Sequence, residues 1–540
     1  MSIEKKLLIL NNIKLPIDAS WEEAFSVAER RLSKAIRLKE KPIYRIYRKS
    51  VDARKKNDIK FVYSVAVEGD FDNISPQALS LIDASFDKST ELMFDYGVEE
   101  MDGRPLIVGT GPAGLFAGLV LAENGYAPIL LERGGSIKER IASVKKFKST
   151  RILDTDCNIQ FGAGGAGTFS DGKLITRIND SLTSYVLKRL VEFGAPKDIL
   201  YLAKPHIGTD ILSNVVDRIL ERIKQLGGEI LYRTTYLDSD FSNKKVTFAK
   251  TSNGNIKLGA LILAIGHSAR DTYETLINNN LSIEAKNFSV GMRVEHLTEN
   301  IDKAMYGDFA GNEALGHAEY GLSWNTKVRG VYTFCMCPGG EVVPATSEQL
   351  GVVVNGMSNH SRSGRNSNSA VVCSVFKEDF GGSAQSAIEF QRNIERKAFL
   401  AGGGDYSAPF ITVGDFLNNK LGSMPKSVVP SYMDGAVRNA NPYDYLPGFV
   451  CDNLKNALLN FDKKINGFAH DEAILTGAET RTSAPIRILR DNTTYLALGY
   501  DNVYPVGEGA GYAGGITSAS IDGLRIALSL MERYKPLKLG

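Results

Sequence analysis

The segment "RPLIVGTGPAGLFAGLVLAENGYAPILLERG", beginning at Arg104, constrains this 540-residue chain more than any other stretch. It reads as a strand over Leu106–Val108, a glycine-rich turn, a helix of small residues ending near Asn124–Gly125, and a second strand over Pro128–Leu131. The turn carries Gly109, Gly111 and Gly114 in G-x-G-x-x-G spacing. In such a unit the first glycine permits a tight turn, the second lets the backbone reach a diphosphate, and the third lets helix and strand pack closely. Pro112 and Ala113 open the helix, whose free N–H groups and positive dipole end attract an anion. Glu132 closes the second strand, where a carboxylate accepts ribose hydroxyls and repels a 2′-phosphate. Arg133 follows it. The pattern predicts a dinucleotide site; the competing reading is a packing turn in an unrelated α/β sheet.

A second glycine cluster stands almost 400 residues later. "VYPVGEGAGYAGGITSAS", from Val503, holds Gly507, Gly509, Gly511, Gly514 and Gly515. Its grammar repeats the first: a strand over Val503–Val506, the acidic Glu508 in the turn, and a helix from about Gly515 through Ile516. A nicotinamide-binding domain is normally continuous and needs no such distant partner. The segment resembles the second flavin motif of glutathione-reductase-type flavoproteins. That resemblance implies Glu508 on the ribityl chain and the helix start, Gly514–Ile516, beside the flavin pyrimidine edge. A helix N-terminus stabilises an adjacent negative charge by about 0.3–1 kcal/mol, up to about 2 when partly buried, which favours an anionic reduced flavin. The apolar run Leu258–Ile265 ends in Ala264-Ile265-Gly266-His267. It resembles the A-T-G exit strand of two-dinucleotide flavoproteins, with Ile265 in place of the threonine.

The central blocks sharpen the match. "CNIQFGAGGAGTFSDGKLITR" (from Cys157), "AIGHSARDTYETL", "FCMCPGGEVVPATSE", "GVVVNGMSNHSRSGRNSNSAVV", "ETRTSAPIRILRD" and "GEGAGYAGGITSASIDGLR" together resemble the uncharacterised bacterial FAD-dependent dehydrogenase family. The leading "SVDARKKNDIKFVYSV" is similar to that family's N-terminal domain, so nearly the whole chain is covered. The resemblance implies FAD, a glutathione-reductase-like FAD domain, a separate substrate domain and an oxidoreductase without a settled substrate.

Read physically, Gly162, Gly164, Gly165 and Gly167 form backbone able to follow an isoalloxazine face, where a side chain would clash. Ser170, Asp171 and Lys173 then arrive as polar groups near the reactive ring. Lys173 is a candidate stabiliser of negative charge on flavin N1 or substrate, or else a salt-bridge partner of Asp171. Arg140 is read either as a fixed cation reaching the dinucleotide or as a surface residue. Cys335 and Cys337 sit at i and i+2 of a strand and share a face. They are candidate active-site thiols, or buried small apolar residues. Arg293 and Arg481 are candidate clamps for an anionic substrate, or members of interdomain ion pairs.

Composition excludes several classes. Hydrophobic and charged contents of 43% and 23%, with a formal charge of +2, are ordinary for a globular protein. No apolar run reaches the roughly 18 residues of a membrane span. The N-terminus lacks a signal-peptide pattern, and five cysteines are too few for a disulfide framework. The expectation is a reduced cytoplasmic bacterial protein. Six scattered histidines and no Cys-x-x-Cys predict no metal site.

The N-terminal unit reads as α+β. Strands in "KKLLILNNIKLP" and "IKFVYSVAVEG" flank a helix with Ser20 as N-cap and Glu23 completing a capping box. Residues 29–60 hold thirteen Lys or Arg against four Asp or Glu. That surplus suggests an RNA-binding face around Arg54, Lys55 and Lys56 as an alternative to a solvated basic surface.

The fold class expected is α/β: a discontinuous Rossmann domain for FAD, built from 103–275 and 475–540. A substrate or cap domain at 276–474 interrupts it, and a small α+β domain at 1–95 precedes it. The expected function is FAD-dependent transfer of hydride or two electrons to or from a small, anionic molecule. NAD(P)H enters only as a transient donor. The alternative is an FAD-containing RNA-associated or RNA-modifying protein.

Overall fold

The computed structural model of the chain describes residues 7–36, 41–71, 74–87, 92–175 and 180–537. Lys5 and Lys6 of the first expected strand, and Arg37 and Lys39 of the basic stretch, lie outside them.

Five parallel strands form the sheet that organises the molecule, in the order Val503–Pro505, Ala260–Leu263, Pro105–Val108, Ile129–Leu131 and Glu229–Leu231. The first four are buried at every position, which is why they read as unbroken apolar runs rather than alternating ones. The last strand of the chain therefore lies two places from Pro105–Val108, and both glycine turns leave the same carboxyl edge. Helix Pro112–Glu123 follows one turn and helix Ile516–Arg533 the other. They pack so closely that a Cβ on Gly523 would stand 2.0 Å from the Ala113 carbonyl oxygen. Helix Pro112–Glu123 buries every residue from Ala113 to Ala122, so it is apolar all round.

A second large sheet has seven strands. Its order is Ser323–Asn325, Gly330–Cys337, Asn366–Val375, Phe288–Leu297, Ile474–Glu479, Ala408–Thr412 and Val437–Asn439. Phe288–Leu297 runs through the middle and is buried along its whole length, so its polar residues Arg293, Glu295 and His296 must all find partners inside. Strand Ile474–Glu479 pairs with Phe288–Leu297 and with Ala408–Thr412. The boundary expected after residue 474 is thus displaced: this fully buried strand belongs to the seven-stranded sheet, and the chain returns to the parallel sheet only beyond it.

The N-terminal unit is a four-stranded sheet, Ile43–Asp52, Lys60–Glu68, Leu7–Pro16 and Ala84–Phe86, with helix Glu22–Leu32 against it. Its helix begins one residue later than the capping pattern suggests. Trp21 is the N-cap; the Ser20 N–H donates to Glu23 Oε1 at 3.1 Å, while the Ser20 hydroxyl makes no cap bond. The unit is tied to the remainder by Lys49, whose N–H donates to Tyr201 O (2.7 Å) and whose carbonyl accepts from Ala203 N–H (2.8 Å). Among the described residues no helix is long and apolar enough to cross a membrane, and no cluster of His, Cys, Asp and Glu could hold a metal ion.

Candidate functional site

A cavity of about 500 Å³ opens between the carboxyl edge of the parallel sheet and the seven-stranded sheet. Of the residues singled out in the sequence, Gly109, Gly111, Pro112, Ala113, Glu132, Arg133, Gly165, Gly167, Ser170, Asp171, Lys173, Gly266, Cys335, Glu508, Gly514, Gly515 and Ile516 line it. Gly114, Arg140, Gly162, Gly164, Gly507 and Cys337 do not; they lie behind the wall and shape it.

The turn at Gly109 has φ +104°, and a Cβ there would meet the Ala264 carbonyl oxygen at 2.4 Å. Across the cavity Gly165 adopts φ +64°, and its Cβ would stand 2.8 Å from Gly111 Cα. Two stretches of bare backbone thus face each other with room for nothing bulkier than glycine. Gly162 and Gly164 are packed equally tightly, against the Arg140 side chain and Thr168.

Arg140 is corrected from its expected place. It is fully buried, and its guanidinium donates to the carbonyls of Asn158 (2.9 Å), Ile159 (2.7 Å), Ala163 (2.8 Å) and Gly165 (2.8 Å). Burial without an ion-pair partner lowers its pKa to about 10. Four of its five donors serve the carbonyls of the returning loop, so it moulds the Gly162–Gly167 wall from behind rather than reaching the ligand space.

Glu132 plays a similar double part. Oε1 accepts from the N–H groups of Gly134 (3.0 Å) and Gly162 (2.9 Å); Oε2 accepts from Thr110 N–H (3.3 Å) and the Thr110 hydroxyl. All four lone-pair directions of the carboxylate are engaged. A ribose hydroxyl would bind here by replacing the Thr110 hydroxyl. Arg133 stacks on Phe161, 4.3 Å from its ring centre, and pairs with Asp271 at 2.9 Å.

At the second turn the situation reverses. The Glu508 carboxylate has no hydrogen-bond partner among the described residues, and burial raises its pKa to about 7 against the pull of Lys286. An unsatisfied acceptor facing a cavity is costly unless a ligand supplies donors. Beside it, Gly514, Gly515 and Ile516 bring the N-terminus of an 18-residue helix to the same space. The group implied by the sequence, FAD, fits this donor and acceptor set: bare backbone and one helix start for a diphosphate, a second helix start for the pyrimidine edge, and a free carboxylate for a polyol.

The cap side contributes charge. Lys173 Nζ lies 3.3 Å from Glu319 Oε1 and 3.7 Å from Asp171 Oδ2. Arg362 donates to both Asp171 oxygens (3.0 and 2.6 Å) and reaches Glu319 at 2.7 Å. Burial pushes the Asp171 carboxyl upward, but Lys173 and Arg362 outweigh it and leave it below the usual range. Ser170 spends its hydroxyl on the turn, donating to Gly167 O at 2.6 Å.

Neither arginine proposed as an anion clamp is free. Arg293 is fully buried, pairs with both oxygens of Glu479 (3.0 and 3.1 Å) and donates to Cys335 O at 3.0 Å. Arg481 lines the cavity, yet its guanidinium is held by Glu395 (3.2 and 2.9 Å) and Ser347. Sequence reading missed Thr110, Gln160, Ser268, Glu319 and Asn355, which all line the cavity. It named His267 only as the end of a strand. That imidazole is kept neutral by burial and by Arg481 and Arg270, with its pKa near 3, and bonds Ser268 Oγ at 2.9 Å.

Residues 287–482 match the family described as "FAD-dependent protein, C-terminal domain-like", and residues 8–68 match a domain of unknown function. A protein of Clostridium beijerinckii, described as uncharacterised, is 45% identical over 534 residues, covering 97% of this chain and 98% of its own. Two solved structures are distantly similar at 12% identity. The L-amino acid deaminase from Proteus vulgaris covers 83% of this chain and 97% of its own with a TM-score of 0.33. The L-proline dehydrogenase from P. horikoshii covers 80% and 94% with a TM-score of 0.34. The chain belongs to the same family as the Clostridium beijerinckii protein and carries within it the C-terminal domain of the FAD-dependent proteins.

Proposed function

We propose that the protein is an FAD-dependent oxidoreductase whose cofactor lies along the cavity in the glutathione-reductase-like manner. The observation that carries this reading is the convergence of Gly109–Gly114 and Gly507–Ile516 on one cavity, with the unpartnered Glu508 between them. Bound there, the flavin supplies hydride or two-electron chemistry.

The residues of the chain have distinct tasks. Gly111 and the start of helix Pro112–Glu123 receive the diphosphate. Glu132 exchanges its Thr110 hydroxyl for a ribose hydroxyl, and Glu508 accepts from the ribityl chain. The N-terminus of helix Ile516–Arg533 stabilises negative charge gathered at the pyrimidine edge. Gly165 and Gly167 leave the ring face open. Lys173 and Lys204 line the open end beside Glu319 and Asp171, which balance their charge, and a small anionic substrate would bind there by displacing one of these carboxylates from a lysine. NAD(P)H serves as a transient donor.

The test is anaerobic rapid mixing of flavin-loaded protein with NADH, NADPH and candidate carboxylate donors, following the flavin absorbance band. Bleaching by one of them supports the reading; a flavin that no donor reduces contradicts it.

A further inference from the structure

The strand Gly330–Cys337 is interrupted where it borders the cavity. Phe334 pairs with Ala370 and Cys337 with Asn368, so one extra residue is accommodated between them, a β-bulge. Within it Cys335 takes φ +45°, a left-handed conformation that a residue with a Cβ rarely adopts. In a straight strand, residues i and i+2 have Cα atoms about 6.6–6.8 Å apart, at the upper limit for a disulfide. The left-handed residue folds the strand back and brings the two side chains together. The Cys337 thiol donates back to Cys335 O at 3.4 Å, so it turns toward the residue two places before it rather than away along the strand. Cys335 lines the cavity, while Cys337 is buried directly behind it.

We propose that Cys335 and Cys337 are a redox-active Cys-x-Cys pair, a second two-electron store that exchanges with the flavin. The proposal rests on the flavin reading above. In the oxidised pair the two sulfurs share a bond. That bond breaks on taking up a hydride equivalent from the reduced flavin: the two electrons cleave it, the proton goes to Cys337, and Cys335 is left as thiolate. Run backwards, the pair returns two electrons and one proton to oxidised flavin.

The surroundings suit that asymmetry. The neighbouring Cys337 thiol, helped by Arg293 and Lys173, holds the Cys335 thiol below its ordinary range against burial, while proximity to Cys335 and burial raise Cys337 well above it. Burial dominates at the thiols elsewhere and pushes Cys373 up to about 11 and Cys451 to about 12. A backbone strain that places the one activated thiol of the chain at the cavity wall has a function in view.

The experiment uses flavin-loaded protein equilibrated without oxygen across glutathione redox buffers, alkylated with N-ethylmaleimide and read by peptide mass. The expected result is a peptide carrying Cys335 and Cys337 that passes between two labels and a disulfide lighter by two hydrogens. A dithionite titration of the oxidised protein should consume about twice as much reductant per flavin as it does in Cys335→Ser or Cys337→Ser. A yellow protein whose pair never forms the disulfide, or whose titration equals that of the serine variants, overturns the proposal while leaving the flavin reading intact. A colourless protein whose pair still interconverts overturns the flavin reading, and with it this route for the electrons.

Discussion

Arg270 donates to both carboxylate oxygens of Glu395, at 2.8 and 2.7 Å, across the seam between the parallel-sheet unit and the seven-stranded sheet. Arg270 opens helix Arg270–Asn278, and Glu395 lies in helix Ala384–Ala401. Both are buried, and Arg481 binds the same carboxylate from the cavity side. One acidic group therefore holds two cations and fixes the two walls of the cavity against each other.

Removing one member of a buried pair strands the charge left behind, at about 3–5 kcal/mol. Glu395→Gln should lower stability by that order, read as a fall in the urea midpoint at pH 7. Burial opposes ionisation of Glu395, but Arg270 and Arg481 overcome it and hold its carboxyl below the usual range. A depressed folded pKa gives stability that is present above the unfolded value, about 4.3 for Glu, and is lost as pH falls through the folded one. The gap between wild type and Glu395→Gln should therefore narrow on acidification below about pH 4.3 and stay constant above it.

Arg140→Met keeps the volume of the side chain but removes every bond to the 158–165 carbonyls. Each charge-assisted bond contributes about 1.5–3 kcal/mol when its partner would be left buried and unpaired. Part of that loss is returned because no charge remains buried, so the variant should lose at least about 3 kcal/mol and bind FAD at least tenfold more weakly, measured by thermal unfolding and by fluorescence titration of FAD.

Glu508→Gln separates ligand binding from folding. In the cofactor-free protein the raised pKa means that the folded state keeps a proton the unfolded chain releases between about pH 4.3 and 7. Wild-type stability falls as pH rises through that window and levels off above it. The glutamine variant lacks this penalty, so without cofactor it should be more stable than wild type at pH 8, by roughly 3–4 kcal/mol, and indistinguishable at pH 4. With FAD that advantage shrinks: the variant should bind about tenfold more weakly, the loss of one charge-assisted bond. Denaturation at the two pH values and an FAD titration check both halves.

Gly165→Ala tests the opposed backbones. The added methyl would stand 2.8 Å from Gly111 Cα, at a left-handed φ that penalises any side chain. Absorbance of the purified variant should show little retained flavin, whereas Gly254→Ala, equally left-handed but with open space around it, should retain a full complement.

The parallel sheet and its turns were legible because their glycines answer to local needs: Gly109 to the backbone of a tight turn, and Gly114 to the Gly109 carbonyl a few residues before it. Strand Val503–Pro505 and helix Ile516–Arg533 could be placed by the same local grammar. What stayed hidden depends on distant partners. Arg140 is eight residues past Glu132, but nothing in that spacing tells that a loop returns to present its carbonyls. Arg270, Glu395 and Arg481 are separated by 125 and 86 residues, so although Arg481 could be read as an ion-pair member, neither Glu395 nor Arg270 could be named as its companion. Strand Ile43–Asp52 was missed because Arg45, Arg48 and Lys49 mask its alternation. The bulge at Cys335 follows from pairing with Asn366–Val375, a register that local sequence does not carry.

The most direct measurement is equilibrium titration of cofactor-free protein with FAD, followed by gel filtration and an absorbance spectrum. One tightly held FAD per chain, with a flavin band that survives filtration, is the predicted result. Protein that emerges colourless after incubation with excess FAD would contradict the joining of the two glycine turns around a single cofactor.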